Sequence, residues 1–550
     1  MEKLQKILIG AMVFFFLLGA AALVLLLRPG PEAAAIATQS QQTLTQSLWR
    51  YPDNLRLGEA LASRTFATPE GQTTDLSPYL GEKGTLCMYW GSWCGYCEKQ
   101  VELLVPLARK LEDRGVKVLL IDKMDPQKEN LEKAKAAISE KEIPFDWIID
   151  SDLSVYRELG MHIIPTTYFL DSTGRVRLCR AGTIGSEGEL EAQLDYLKNG
   201  AAAGTETFLR QNLLNDEGGV QMHVYESGGA APSGQDVLAE SQGLLMAYAA
   251  KTGNRELFRQ AYDYAKTHLD QGGLLAWYAS GEERGQVNAL LDDLRVLKSL
   301  NAMGDYTEDV MSRAIAIAAE NRDETGNLVD FCSFSDGSRA NRLTMCYCDW
   351  QALEIIRPLV PGFGHSLAKA EEVLEGAYLG DDFPFYANYY DYETKTYDDG
   401  SLNMAEAMLT LLHQVQAGHL KSASLSWLQA QMAGEGIYAR YDTQGNVVPG
   451  GDYASAAVYA IVGLIAQEVG DDLLLTQAVS RMESFRCFAA DSPLNGAFAD
   501  SLEDVNAFDQ CLALVLYAGM NSQDTERRSL CSTIPCNFCC FSRRRCWCTT

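Results

Sequence analysis

At 550 residues the chain is too long for one hydrophobic core, and two or three domains are expected. A formal net charge of −27 repels phosphate backbones and argues against a nucleic-acid partner. The 15 cysteines do not have the spacing of a small disulfide scaffold. Six follow residue 530, and the other nine include only two close pairs, Cys94/Cys97 and Cys346/Cys348.

Lys3 and Lys6 precede an uncharged, largely apolar run, Ile7–Leu27. As a helix this run reaches ~30 Å, enough to cross a bilayer. An uncleaved anchor (1–27) is expected, with a cleaved signal ending near Ala33-Ala34-Ala35 and a buried core helix as competing readings. The lysines place the N-terminus inside and the body outside, where disulfide chemistry is permitted. The expected location is therefore a cell membrane of bacterial type, single-pass, with an extracytoplasmic body. Residues 28–54, rich in Ala, Gln, Thr and Ser, read as a tether.

From 55 to 200, strands and helices alternate. Leu86–Trp90, Val116–Ile121, Phe145–Ile149, Thr166–Leu170 and Val176–Arg180 read as strands. Helices are expected over Cys94–Arg114, 127–140 and 186–198. Asp171-Ser172-Thr173-Gly174 is a turn sequence joining two strands as a hairpin. Alternation of this kind predicts one α/β domain.

Beyond a Gly-Ala-Ala-Ala-Gly boundary at 200–204 the pattern becomes almost purely helical. A helix–glycine–helix junction recurs at Gly253, Gly304, Gly364, Gly418, Gly470 and Gly519, roughly 50–60 residues apart. Six junctions imply six hairpins, and the last lacks a second helix. Thr205–Leu214 can supply it, which would close an (α/α)6 toroid over 205–525; an open helical array is the alternative. The tail (526–550), with six cysteines and Arg543-Arg544-Arg545, lacks two clean Cys-x-x-Cys arms and any histidine. It is expected to be disordered, and no metal site is assigned.

Cys94 and Cys97 lie between an apolar strand and a helix. The unpaired N–H groups and dipole of a helix start favour a Cys94 thiolate, and Cys97, one turn on, resolves the mixed disulfide. A zinc half-site would need a second ligand pair nearby, and none precedes residue 332. Cys87, Cys179, Cys346 and Cys348 read as packed thiols, the last two sharing a face if they lie on a strand.

Trp93-Cys94-Gly95-Tyr96-Cys97 together with Ile164-Pro165-Thr166-Thr167-Tyr168 resembles the TlpA/ResA-like branch of the thioredoxin superfamily. The resemblance covers about 55–200. It implies a cis Pro165 facing the cysteines and a groove formed with Trp93. It also implies an acidic residue after the second central strand that aids proton transfer. Asp125 is the nearest match by position, and a solvated loop carboxylate is its other reading. No cofactor is implied, and the partner is a thiol or disulfide protein.

In the helical part, Glu240 opens one helix and Asp292-Asp293 another. Trp277, Tyr347, Trp350, Tyr386, Tyr389 and Tyr390 offer surfaces on which sugar rings stack. Acids at helix starts also serve the dipole. Gly218-Gly219-Val220 and Glu240-Ser241-Gln242-Gly243-Leu244-Leu245-Met246 resemble the opening motifs of glycoside hydrolase family 8 and its relative, family 126. The resemblance covers about 205–520 and gives Glu240 the role of general acid. The family 8 signature Ala-Thr-Asp-Gly-Asp-Leu falls on Ala289-Leu290-Leu291-Asp292-Asp293-Leu294. Its first Asp is therefore Leu291 and only its second, Asp293, is retained, which leaves a family 126-like, α-glucan-directed reading open. An inverting enzyme also needs a base; Glu406 is chosen over Asp398 and Asp399.

The functional expectation is a thiol–disulfide oxidoreductase fused to a domain that binds, and hydrolyses, a polysaccharide. The alternatives are a toroid that binds glycan or protein without catalysis and an inert structural module.

Overall fold

The computed structural model describes residues 59–224, 236–488, 494–499 and 505–533. The expected anchor and tether, and the tail from residue 534, lie outside these. Among the described residues no helix is long and apolar enough to cross a membrane.

The first domain is built on a seven-stranded sheet. Its strands are β1 (Phe66–Ala67), β2 (Thr73–Thr74), β3 (Gly84–Trp90), β4 (Val116–Lys123), β5 (Asp146–Asp150), β6 (Thr166–Leu170) and β7 (Val176–Ala181), in the order β2-β1-β5-β4-β3-β6-β7. β3, β4 and β5 run parallel, while β6 and β7 join antiparallel. All seven residues of β3 are buried because both faces of the sheet are covered. Leu86, Met88 and Trp90 enter one core, and Cys87 and Tyr89 the other, with Cys179.

The helices are α1 (Gly95–Leu104), α2 (Ala108–Asp113), α3 (Leu131–Glu140), α4 (Ser154–Glu158) and α5 (Glu187–Asn199). The single helix expected over Cys94–Arg114 is divided at Val105–Leu107, where Pro106 cannot donate to the α-helical ladder. The helix expected from 127 begins only at Leu131. Asn130 caps it by accepting from Lys133 N at 3.0 Å, and a turn fills the preceding residues. The predicted hairpin turn is present: Gly174 takes φ 77°, and Asp171 Oδ1 accepts Thr173 N at 2.9 Å.

The helical domain begins with α6 (Ala201–Asn212). Then come α7 (Ala239–Thr252), α8 (Arg255–Tyr264), α9 (Leu290–Met303), α10 (Thr307–Glu320), α11 (Trp350–Ile356), α12 (Phe363–Gly376), α13 (Met404–Gln416), α14 (Ser422–Ala433), α15 (Ala456–Val469), α16 (Asp472–Glu483) and α17 (Ala507–Thr533). The odd-numbered helices form an inner ring. Each packs on the next, and α17 returns to α7. α6, from the start of the domain, packs on α17 and completes its hairpin. α15 is buried along Ala456–Ala466 without a break because it is enclosed on all sides.

Gly253, Gly304, Gly418 and Gly470 have positive φ and end helices as expected. Two junctions differ. Gly364 lies inside α12, because the short α11 stops before Pro358 and Gly362 takes the positive-φ position. Gly519 lies inside α17, which has no return helix of its own and runs on to Thr533.

The two domains meet around Arg486, a fully buried residue. It pairs with Glu483 (Nε–Oε2 2.7 Å) and donates to Thr205 Oγ1 at 2.7 Å and to Ala201 O at 3.1 Å. Its guanidinium also lies over Tyr196 of α5, at 5.0 Å. A charge so deeply buried persists because every face finds a partner.

Candidate functional site

Two constellations stand apart, one at the C-terminal edge of the sheet and one at an end of the helical ring.

In the first, β3 delivers Trp90 to the sheet edge and Gly91-Ser92-Trp93 turns the chain into α1. Cys94 is the N-cap of that helix; its Sγ accepts Cys97 N at 3.3 Å and donates to Ile164 O at 3.6 Å. The Ile164–Pro165 peptide is cis. Both cysteines are free thiols, with Cys97 Sγ donating to Cys94 Sγ at 2.6 Å. Cys94 keeps 8% of its surface, while Cys97 has none. A Cβ at Gly95 would meet nothing within 4 Å, so the approach to Cys94 is open from that side. Burial first, and the neighbouring Cys94 second, push the Cys97 thiol well above its ordinary range.

The carboxyl facing Cys97 is Asp122, which stands opposite Trp90 at the end of β4. It is fully buried, and neither carboxyl oxygen has a hydrogen-bond partner among the described residues. Burial pushes it up to about 8, and repulsion from Glu129 adds to this; Asp122 in turn raises the Cys97 thiol. Glu129 is buried and clamps the motif loop, accepting Ser92 N at 2.7 Å and Ser92 Oγ at 2.9 Å. The expected Asp125 stands elsewhere. Its Oδ1 accepts Gln127 N at 3.0 Å and shapes the turn after β4. The sequence signal for Asp122 is a charge closing the apolar run Val118–Ile121 on the strand beside the motif. Trp93 is half-buried beneath Lys128, whose Nζ lies 4.4 Å from the ring centre.

The second constellation follows from ring topology. Each inner helix returns in the same direction, so their N-termini collect at one end. Glu240 comes from α7, Asp292 from α9, Glu406 from α13, and Tyr347 from the 3-10 turn Met345–Tyr347 ahead of α11. Arg295, which the sequence reading did not single out, bridges two of them. Its Nη1 lies 2.7 Å from Asp292 Oδ1 and 3.6 Å from Glu240 Oε2. A charge three residues after Asp292 on the same helix was legible as an i,i+3 pair. Burial raises both carboxyls against the opposing pull of Arg295, while Glu240 keeps a third of its side chain (33%) open to solvent.

Glu406 is solvent-reached, yet the surrounding walls desolvate it and Glu240 repels it, and both effects raise its carboxyl. Glu240 therefore stands near enough to Glu406 to raise its carboxyl. Asp330, also missed, is buried beside this group and accepts Arg342 Nε at 2.9 Å and Thr344 N at 2.6 Å.

Three expected residues have other tasks. Asp293 points away from Glu240: its Oδ1 accepts Leu275 N at 2.8 Å and its Oδ2 accepts Asn288 Nδ2 at 2.8 Å, both buried. One residue along a helix turns a side chain by about 100°, so Asp292 and Asp293 cannot both face the cleft. Trp350 is a core residue of α11, and Tyr386 is likewise buried. Neither offers a face to a sugar. Trp277 does, with 44% exposure, and its carbonyl accepts Ala239 N at 3.0 Å at the start of the Glu240 helix. Cys346 and Cys348 are packed as expected, but on the 3-10 turn and the residue after it, not on a strand.

Residues 57–179 match the family described as AhpC/TSA. The thiol-disulfide oxidoreductase ResA of Geobacillus thermodenitrificans is 30% identical over 129 residues, 24% of this chain and 71% of that protein. The putative lipoprotein YdaJ of Bacillus subtilis is 23% identical over 321 residues, 56% of this chain and 84% of that protein. Among solved structures, one described as a novel alpha-amylase from Clostridium perfringens superposes with a TM-score of 0.53 at 24% identity. It covers 58% of this chain and 97% of its own, and so shares the fold of the helical domain. The chain accordingly belongs to the ResA-like thiol–disulfide oxidoreductases, with a helical domain of glycoside hydrolase-like fold joined behind its redox domain.

Proposed function

We propose that the protein exchanges disulfides at Cys94 and Cys97, and that its helical domain binds a polysaccharide and hydrolyses it. The observation that carries the redox reading is the buried, unpartnered Asp122 beside Cys97, below a Cys94 that accepts a helix N-terminal amide. The Cys94 thiolate attacks a partner disulfide, forms the mixed disulfide and expels one partner thiolate. Asp122 takes the Cys97 proton. The Cys97 thiolate then attacks Cys94 Sγ, closes the Cys94–Cys97 disulfide and releases the second partner thiolate. The pair loses two electrons and the partner disulfide gains them; the same steps run in reverse when the partner is a dithiol.

The resemblance to the ResA branch and the apolar run Ile7–Leu27 support a membrane-tethered, extracytoplasmic protein. In the cleft, Glu240 protonates the glycosidic oxygen while Glu406 takes a proton from water. The water oxygen bonds to the anomeric carbon as the glycosidic bond breaks. Incubating the full chain with α- and β-glucans, beside Glu240→Gln, tests this through new reducing ends. Turnover unaffected by the substitution removes Glu240 from the mechanism.

A second reading is favoured by Arg295. Its guanidinium near Glu240 stabilises the ionised carboxylate, the wrong state for a general acid. Glycan binding without new reducing ends would make the ring a binding module.

A further inference from the structure

The rim of the dithiol site carries a charge pattern that disulfide exchange does not itself require. Tyr96, inside the motif, is 67% exposed and is the one large hydrophobic side chain so exposed among the described residues of the first domain. Lys99, one turn along α1, holds its Nζ 5.8 Å from the Tyr96 ring centre. Lys128 holds its Nζ 4.4 Å from the centre of the Trp93 ring, also in the motif. Among the described residues, no carboxylate forms an ion pair with either ammonium. Some lysines of this domain are ion-paired, Lys110 with Glu187 and Glu191 and Lys141 with Glu98, while Lys123 lies over the Tyr156 ring, away from the motif. The acid next to Lys99 in sequence, Glu98, is therefore already engaged. Asp125 is turned to its own loop, and Glu129 is buried against Ser92.

The result is two cations with no ion pair among the described residues, each laid on an aromatic ring of the motif, near a thiol whose Gly95 flank is open. They stand on a chain that is otherwise strongly acidic. Long-range charge alone makes this protein repel acidic partners. Two cations at the motif oppose that long-range field at the point of chemistry.

We infer that Lys99 and Lys128, mounted on Tyr96 and Trp93, select a protein partner whose reactive cysteine is flanked by Asp or Glu. This rests on the redox reading of Cys94. The acidic side chains meet the ammonium groups while the partner backbone passes over the open Gly95 side. The rings supply apolar contact and hold the lysine stems in place.

Three otherwise identical peptides, with Asp, Ser or Lys beside one cysteine, separate these ideas. Each is prepared as a mixed disulfide with 2-mercaptoethanol, so the leaving group is neutral. Reduced full-length protein is mixed with each at low salt, and the rate of peptide reduction is followed. The Asp peptide is expected to react about 10-fold faster than the Lys peptide, collapsing to about 2-fold or less in 0.5 M NaCl. In Lys99→Glu/Lys128→Glu the order of the two charged peptides inverts. Lys99→Gln/Lys128→Gln, which removes charge without adding any, brings the three rates together. Equal rates in the parent protein, or a preference that survives both double variants, overturns the assignment. If none of the peptides is reduced, the redox reading falls and the selective rim falls with it. If the Ser peptide reacts and the charged peptides do not differ from it, only the rim is lost.

Discussion

The dithiol centre and the cleft of the helical ring both hold ionisable groups in desolvating surroundings, but they are assembled over very different lengths of chain. Cys94, Gly95, Tyr96 and Cys97 are contiguous. The helix start that the first cysteine caps is built by the same residues. The cleft takes Glu240, Asp292 and Glu406 from three separate inner helices. A local motif carries its own geometry, so its chemistry survives in the sequence as spacing. A distributed site depends on helix phase and on closure of the ring, and spacing alone does not report either.

The largest effect expected from breaking this contrast is at the local site. Cys94→Ser removes the attacking thiol, and disulfide reduction should fall by roughly 10³-fold or more. The structure should stand, because the serine hydroxyl can still accept from Cys97 N. Retention of activity in an assay of the 2-mercaptoethanol-capped Ser peptide would show that Cys97 or another thiol attacks first.

In the distributed site, Glu240→Gln should lower glycan hydrolysis by about 10²–10⁴-fold with little change in KM. Burial raises both Glu240 and Glu406, and in the proposed mechanism Glu406 must be ionised while Glu240 keeps its proton. Activity should rise with pH as the base loses its proton and fall again as the acid loses its own. A profile that only rises would remove Glu240 as the acid.

The next comparison lies within one helix. Asp293→Ala leaves the buried Leu275 N–H and Asn288 amide without acceptors and should destabilise the helical domain by about 2–4 kcal/mol. Asp292→Asn keeps an oxygen acceptor for the buried Arg295 Nη1 and should destabilise less than Asp293→Ala while altering glycan turnover. If thermal unfolding ranks the two variants the other way round, the helix phase assigned to this pair is wrong.

What the sequence disclosed follows the same division. The strand–helix alternation, the hairpin at Asp171–Gly174 and a helix near Thr205–Leu214 are legible because periodicity and turn chemistry are local properties, but that helix runs from Ala201 to Asn212 and so takes in the boundary expected at 200–204. Arg357-Pro358 displaced the junction expected at Gly364, since a proline overrode a glycine signal a few residues away. Trp350 was read as a sugar platform because its aromatic character is visible in sequence, whereas its burial on α11 is a property of packing. Asp125 is the nearest match by position, whereas strand pairing opposite Trp90 puts Asp122 at the motif. Burial of a lone carboxyl at a strand end cannot be inferred until both neighbouring strands are placed.

The smallest expected effect tests that last point. Asp122 is raised to about 8 by burial, against an ordinary carboxylate value of about 4 in the unfolded chain. A folded value above the unfolded one means that the native state holds its proton longer. The cost of ionising the buried group is absent below about pH 4, grows between about 4 and 8, and is complete above that. Asp122→Asn removes this cost. The variant should therefore be more stable than the parent protein, with the difference small near pH 4.5 and at least ~1 kcal/mol at pH 9. It should at the same time resolve the mixed disulfide more slowly, by about 10-fold, so that the partner-bound Cys94 adduct accumulates and can be trapped and weighed. Both signs follow from a single cause, an unpartnered carboxyl kept beside Cys97 at the expense of stability. A variant that is less stable at pH 9, or that resolves the adduct at the parental rate, would show that Asp122 belongs to packing and that Cys97 loses its proton by another route.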